Sequence, residues 1–147
     1  RDRSPSRGLG DVYKRQVDSK YNLGDNIDKW KYLKGAKDIL RKAGTPYEYH
    51  FREGAIAFPD SLDKPARTML TSEGSLNRST HVIEDPKSKC YRILTPIETE
   101  RINGFPDNWT NTGMPEKFRY FCMGNALVVG LIERMGNSLN KIFESED

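Results

Sequence analysis

The sequence has 147 residues, with 24 Lys and Arg against 21 Asp and Glu and a formal net charge of +3. Residues 1–16 hold five of these basic residues and two of the acidic ones, so residues 17–147 carry 19 of each and no net charge. The overall basic charge is therefore no evidence of a nucleic-acid partner. No stretch is apolar for long enough to span a membrane and none resembles a secretory leader, so a cytoplasmic protein is the default expectation.

Segment 1–16 is predicted to lie outside the fold. Its last six residues read D-V-Y-K-R-Q, and a DNA string that encodes them resembles the mosaic-end adaptor used in transposase sequencing libraries. We therefore predict that this segment is a disordered library scar and that the reading frame is a fragment whose true start is lost. A disordered basic tail is the alternative, and it has the same consequence for folding.

The region from 21 to 44 is predicted to be helical. Apolar residues fall near helical spacing, which favours one helix before Gly35 and a second, shorter helix over 36–42 that ends at Gly44. Lys34 and Lys37 belong to a row of lysines between the apolar positions. Such a row is compatible with phosphate contact, and the alternative is the solvated face of a structural helix.

Short strands are predicted to follow. Apolar and polar residues alternate over 47–52, which indicates a half-buried strand, and a second strand over 55–58 is expected to pair with it in a hairpin. Further strands are expected over 67–71 and 81–83. A polar loop over 72–80 connects these two strands.

The stretch from 90 to 106 organises the rest of the chain. A strand over 90–94 leads into a short helix that Thr95 caps, with Pro96 at the first helical position and Glu98 placed to complete a capping box. Gly104 is expected to end the helix in the left-handed conformation.

The remaining sequence is predicted to form a loop and two helices. A short helix is expected over 115–121, and a last helix is expected to begin near Asn125. An apolar stripe at helical spacing runs along the last helix and needs a partner surface. The two cysteines, Cys90 and Cys122, lack metal-ligand spacing, so we predict two structurally buried thiols and no metal site.

Two motifs resemble those of the DNA (cytosine-5)-methyltransferases. The pattern R-x-L-T-x-x-E-x-x-R-[LI]-x-G-F-P, carried from Arg92 to Pro106, is similar to the ninth motif of that family. The pattern G-N-[AS]-[VL]-x-V, carried from Gly124 to Val129, is similar to the tenth. The resemblance implies an α+β C-terminal fragment. Residues 17–89 would be the later part of a small, irregular, β-rich target-recognition region, and residues 90–147 would return to the α/β, Rossmann-like catalytic domain.

The resemblance also implies roles for individual residues. The residues expected to contact DNA are Lys34, Lys37, Arg67, Asn77, Arg78 and His81. The residues expected to form the structural ninth motif are Arg92, Thr95, Glu98, Arg101, Gly104 and Pro106. Asn125 and Ala126 are expected at the edge of the S-adenosylmethionine pocket. Two alternatives stay open: residues 72–80 form an ordinary hairpin loop, and Asn125 is only a helix cap.

The chemistry of this family needs groups that the sequence lacks. Methyl transfer from S-adenosylmethionine to carbon five of cytosine needs a cysteine nucleophile, a glutamate at the ring nitrogen and a glycine-rich cofactor turn. No P-C-Q, E-N-V or F-x-G-x-G motif is present, so we predict no catalytic residue and no activity of this chain alone. The expected partners are double-stranded DNA and the missing N-terminal catalytic portion. The alternative is a separate, non-catalytic DNA-binding subunit of a split methyltransferase.

Overall fold

The computed structural model describes residues 17–42, 44 and 47–146. The predicted library scar lies outside these residues. Within them the fold is mixed α+β, with two short 3-10 helices (Ser19–Tyr21 and Gly24–Asn26), four α-helices and two separate two-stranded sheets. The elements in chain order are α1 (Ile27–Lys34), β1 (Lys37–Lys42), β2 (Glu48–Glu53), β3 (Val82–Glu84), β4 (Tyr91–Ile93), α2 (Pro96–Ile102), α3 (Glu116–Asn125) and α4 (Val129–Glu146).

The first sheet corrects the prediction of a second helix over 36–42. These residues form β1, which pairs antiparallel with β2 from the Lys37–Glu53 pair to the Lys42–Glu48 pair. Cross-strand ion pairs lie at both ends of this register, with Lys37 Nζ 3.5 Å and Lys42 Nζ 3.0 Å from their glutamate carboxylates. Helical spacing within one segment could not reveal a partner strand that lies further along the chain.

Two other predicted strands are also wrong. Residues 55–58 form no strand, and β2 pairs with the upstream strand β1 instead. The backbone N–H of Ile56 donates to the Lys34 carbonyl at the end of α1. Residues 67–71 join no sheet and pack against α3. Met69 enters the core from this segment. Short apolar runs can serve either packing arrangement, so their periodicity did not decide between them.

The second sheet and α2 agree with the predictions. Strands β3 and β4 pair antiparallel, and Ile83 lies opposite Arg92. The Thr95 side chain accepts from the Glu98 backbone N–H, and the Glu98 carboxylate accepts from the Thr95 N–H at 2.7 Å, which completes the predicted capping box. Gly104 adopts a φ of +83°, the left-handed conformation expected of it.

Strand β3 lies between the two apolar clusters of the core. Successive side chains of a strand point to opposite faces, so Val82 packs with Leu23 and Trp30 while Ile83 packs with Leu94 and its neighbours. The second cluster is completed by Met69, Ile102 and Met123. These clusters join the front of the chain to α2 and α3.

The C-terminal helices differ from prediction at their boundaries and in their exposure. Helix α3 runs through Gly124 to Asn125, and α4 begins at Val129 after a short extended connection. The apolar stripe of α4 is exposed, from 41% at Val129 to 67% at Phe143. Cys90 is exposed rather than buried because it precedes β4 on the surface turn, whereas Cys122 is half-buried against the core.

Candidate functional site

Arg92, the first residue of the ninth motif, is the centre of a buried hydrogen-bond network. Its side chain is 1% exposed, and its Nε lies 2.9 Å from an oxygen of Asp85. Its two terminal nitrogens donate to the two oxygens of Glu98 at 2.8 and 2.7 Å. Burial alone would raise the pKa of Asp85, but hydrogen bonds from the Ser88 N–H and the Arg92 guanidinium outweigh it and lower that pKa to about 2. Arg92 therefore joins the β3–β4 turn to the first turn of α2.

A second buried carboxylate in α2 holds the segment that follows the motif. Glu100 is fully buried and accepts hydrogen bonds from the Thr110 backbone N–H at 3.0 Å and from Arg119 at 2.8 Å. Burial would raise the pKa of Glu100, but the Arg119 and Thr110 donors lower it. Arg101, the next residue of the motif, pairs with Asp107 instead. This pair joins the last turn of α2 to the segment that follows it.

The two motif segments are in direct contact. The backbone N–H of Val129 donates to the Asn103 carbonyl at 2.9 Å, and the Asn103 side chain donates to the Met123 carbonyl at 3.0 Å. A Cβ added at Gly104 would lie 3.4 Å from the Val129 Cβ. The ninth-motif helix is thus packed against the connection between α3 and α4.

The tenth-motif segment is shaped by packing at its glycine. A Cβ at Gly124 would lie 2.3 Å from the backbone nitrogen of Thr71, so only glycine lets α3 approach this backbone. Asn125 is the last residue of α3, and its side-chain amide donates to the Phe121 carbonyl at 3.1 Å. The predicted opening of a helix by Asn125 is therefore wrong. Ala126 follows as the C-terminal cap and is half-buried against the core.

Two of the residues expected to face DNA bind the buried carboxylate of Asp60, and a third pairs with Glu73. Arg67 binds both Asp60 oxygens, with Nε at 2.7 Å and Nη2 at 3.1 Å. Lys34 is 1% exposed, and its Nζ donates to the Thr80 carbonyl at 2.6 Å and lies 3.7 Å from Asp60. Burial lowers the pKa of Lys34. His81, which is also fully buried, lies with its Nδ1 3.1 Å from a Glu73 oxygen.

Of the other three, only Arg78 joins the segment over 72–80 to the residues that flank the first sheet. Arg78 donates to the carbonyls of Leu33 at 3.1 Å and Gly35 at 3.0 Å, and to the carbonyl of Gly54. Lys37 donates to the Leu33 carbonyl at 3.3 Å from the opposite side. Asn77 accepts from the backbone N–H groups of Ser79 and Thr80 and donates to the Ser72 carbonyl, which shapes the turn internally.

These six residues therefore have structural partners, and two of them cannot reach DNA in this fold. Lys34 and His81 are turned inwards and fully buried, so the expectation that they face DNA does not agree with the geometry. The sequence analysis did not identify Asp60, the acidic residue that pairs with two cationic side chains from other segments of the chain. No spacing in the sequence singles it out.

Two further findings concern metals and membranes. No group of His, Cys, Asp and Glu within the described part of the chain is placed to hold a metal ion. Among the described helices, none combines the length and apolar character that a membrane crossing requires.

The fold is similar to that of a known methyltransferase. EhMeth, a methyltransferase of Entamoeba histolytica, aligns with a TM-score of 0.61 over 93% of this chain and 41% of that protein, at 17% sequence identity. The fold of this chain is thus similar to that of part of EhMeth. The family of C-5 cytosine-specific DNA methylases matches residues 5–141, and this chain belongs to that family. The match begins inside segment 1–16, so the boundary at residue 16 stays a prediction.

Two curated relatives show how much of a whole enzyme is present. The chain is 58% identical over 135 residues to the type II methyltransferase M.Sau3AI of Staphylococcus aureus, which covers 91% of this chain and 32% of that protein. It is 24% identical over 132 residues to the type II methyltransferase M.DsaV of Dactylococcopsis salina, which covers 89% of this chain and 34% of that protein. The chain spans about a third of the length of these relatives.

Proposed function

We propose that this chain is the C-terminal, non-catalytic portion of a DNA cytosine-5 methyltransferase of a type II restriction–modification system. It would supply target recognition and structural support, and the nucleophile would come from the missing portion. The observation that carries the proposal is the family match over 5–141 in a chain that spans about a third of its relatives. The absence of P-C-Q and E-N-V motifs from the sequence agrees with it.

The exposed face of α4 supports the role of a docking element. Seven large apolar side chains of α4 are at least 41% exposed: Val129, Leu131, Ile132, Met135, Leu139, Ile142 and Phe143. In a folded protein an amphipathic helix normally buries such an apolar stripe against a partner surface. The missing two thirds of the enzyme are the partner that we propose for this face.

We also propose that the tenth-motif segment lies at the edge of the cofactor site. S-adenosylmethionine would supply the methyl group when bound. Asn125 is exposed beside the half-buried Ala126, at the point where α3 ends and the chain turns towards α4. These two residues would line one edge of the cofactor pocket, and the missing portion would supply the glycine-rich turn that completes it.

A DNA-facing role stays proposed for the surface around Arg67, Asn77, Arg78 and Lys37. The structure gives each of them intramolecular partners, so their contribution would be to hold the recognition surface in shape. Arg67 and Lys37 keep part of their side chains exposed, at 30% and 13%. The geometry gives Lys34 and His81 only the internal role.

The docking proposal is tested by association with the missing portion. The purified chain would be mixed with the part of M.Sau3AI that it does not match, and complex formation would be measured by analytical ultracentrifugation. Leu139→Glu places a charge on the apolar face of α4 and should abolish the complex. Asn137→Glu places the same charge on the opposite face and should leave it intact. Equal association of both variants, or no association of the unmodified chain, would contradict the proposal.

The alternative of a separate DNA-binding subunit predicts the same association. The two alternatives differ in what they predict for the reading frame upstream of Val17. A frame that continues into a P-C-Q motif supports a single-chain enzyme, whereas a separate start codon supports a split one.

A further inference from the structure

The β1–β2 hairpin has two different faces. The register places one set of side chains on the half-buried face, where Ile39 lies opposite Phe51. The other face carries the Asp38–Arg52, Leu40–His50 and Lys42–Glu48 pairs, and every one of these side chains is exposed. This second face, the exposed hairpin face, contacts no other strand of the described chain.

A carboxylate on the exposed hairpin face orients two of its neighbours. Asp38 Oδ1 lies 2.6 Å from His50 Nδ1, and Asp38 Oδ2 accepts from Arg52 Nε at 3.0 Å. These contacts use His50 Nδ1 and Arg52 Nε, the side-chain nitrogens nearest the backbone. The terminal fork of Arg52 and the Nε2 of His50 are thereby directed outwards, with Arg52 72% and His50 58% exposed. An arginine fork fixed in this way matches two acceptors that lie side by side.

The base of the hairpin is held firmly. Arg78 binds the carbonyls of Gly35 and Gly54, which flank the two strands, and Ile56 N–H binds the Lys34 carbonyl. The strands therefore leave the body of the protein as a fixed ribbon. A two-stranded ribbon of this kind fits the major groove of B-DNA, which is about 12 Å wide.

The charge around the hairpin complements DNA. Residues 27–53, which span α1 and the hairpin, hold seven Lys and Arg against four Asp and Glu, a net of +3. Since residues 17–147 have no net charge, the remainder of that range carries −3. Positive charge is thus concentrated on α1 and the hairpin taken together, and the two hairpin strands themselves hold four Lys and Arg against three Asp and Glu.

We propose that the β1–β2 hairpin reads base edges in the DNA major groove, with Arg52 as a specificity-determining residue and Asp38 as its positioning residue. The adjacent acceptors that suit an oriented arginine fork are the O6 and N7 atoms of guanine. His50 lies beside Arg52 on the same carboxylate and contacts the neighbouring base. The inference rests on the proposed function, because it assumes that duplex DNA is the ligand.

The test measures sequence preference separately from affinity. The purified chain would select from short duplexes with a randomised centre at low salt, and affinities for selected and unselected duplexes would follow from fluorescence anisotropy. Arg52→Ala should reduce the discrimination between them by roughly tenfold while leaving the affinity for unselected duplexes unchanged. Asp38→Asn should reduce discrimination in the same direction, because it releases the arginine fork. Arg41→Ala, on the opposite hairpin face beside the Phe51 ring, is the matched control and should preserve the preference.

The outcomes separate this inference from the proposed function. If discrimination survives Arg52→Ala, the hairpin inference is wrong while DNA recognition by the chain stands. A uniform loss of affinity on all sequences, with a salt slope reduced by about 1, would make Arg52 a phosphate contact and also overturn it. Absence of binding to any duplex would overturn the inference and the recognition role together, whereas association through α4 is measured independently.

Discussion

Arg92 offers the sharpest test of how the ninth-motif segment is held together. Its guanidinium is 1% exposed and binds Asp85 and Glu98, whose side chains are 11% and 5% exposed. Arg92→Met keeps a similar length of side chain but leaves two buried carboxylates without their cation. Removing one partner of a buried ion pair costs about 3–5 kcal/mol. We expect a loss near the lower end of that range, because the Ser88 and Thr95 N–H groups still bind the two carboxylates.

The assay is urea unfolding of the purified chain, followed by the fluorescence of Trp30, which is buried in the core. A control variant that combines Arg92→Met with Asp85→Asn and Glu98→Gln removes the uncompensated charges and should recover much of the lost stability. A loss below about 1 kcal/mol for Arg92→Met would refute the claim that this network holds the segment. Equal losses in the single and triple variants would also contradict it, since unpaired charge would then not be the cause.

Three further predictions follow from particular contacts. The pKa of Asp85 falls from 3.8 to about 2 on folding, so the contribution of this carboxylate to stability is present above pH 4 and disappears as the pH falls through 2. The free energy of unfolding, measured as a function of pH, should therefore fall by about 2 kcal/mol over this range, and Asp85→Asn should remove that dependence. Gly124→Ala should destabilise by about 1–3 kcal/mol in urea unfolding because its Cβ meets backbone, whereas Gly136→Ala, in open space on α4, should be neutral or stabilising. Arg78→Ala should accelerate amide hydrogen exchange across β1 and β2; unchanged exchange would show that it does not anchor the hairpin.

The ninth-motif segment could be predicted because its signals are local. A threonine cap, a proline at the first helical position and a glutamate three residues after the cap all lie within four consecutive positions. The left-handed Gly104 follows from the same short stretch. The contact between the two motifs could not be predicted in this way, because it depends on a hydrogen bond from Asn103 to the distant helix α3.

The structure of the predicted recognition region followed less well from the sequence, because the contacts of this region join residues that are distant along the chain. Lys34 appears in the sequence as one of a row of surface lysines, yet Asp60 draws it into the interior. Residues 36–42 have helical spacing, but pairing with β2 makes them a strand. Asp38, His50 and Arg52 lie up to 14 positions apart, and only the hairpin register brings them onto one face. Long-range pairing therefore decides both the fold of this region and its candidate contacts.

The most direct test of the central claim is labelled methyl transfer to duplex DNA. S-adenosylmethionine with a labelled methyl group would be supplied to this chain alone, to the unmatched part of M.Sau3AI alone, and to the two together. We predict incorporation into cytosine only when both are present, because this chain has no P-C-Q motif and exposes the apolar side chains of α4. Incorporation by this chain alone, or equal incorporation with and without it, would contradict the account.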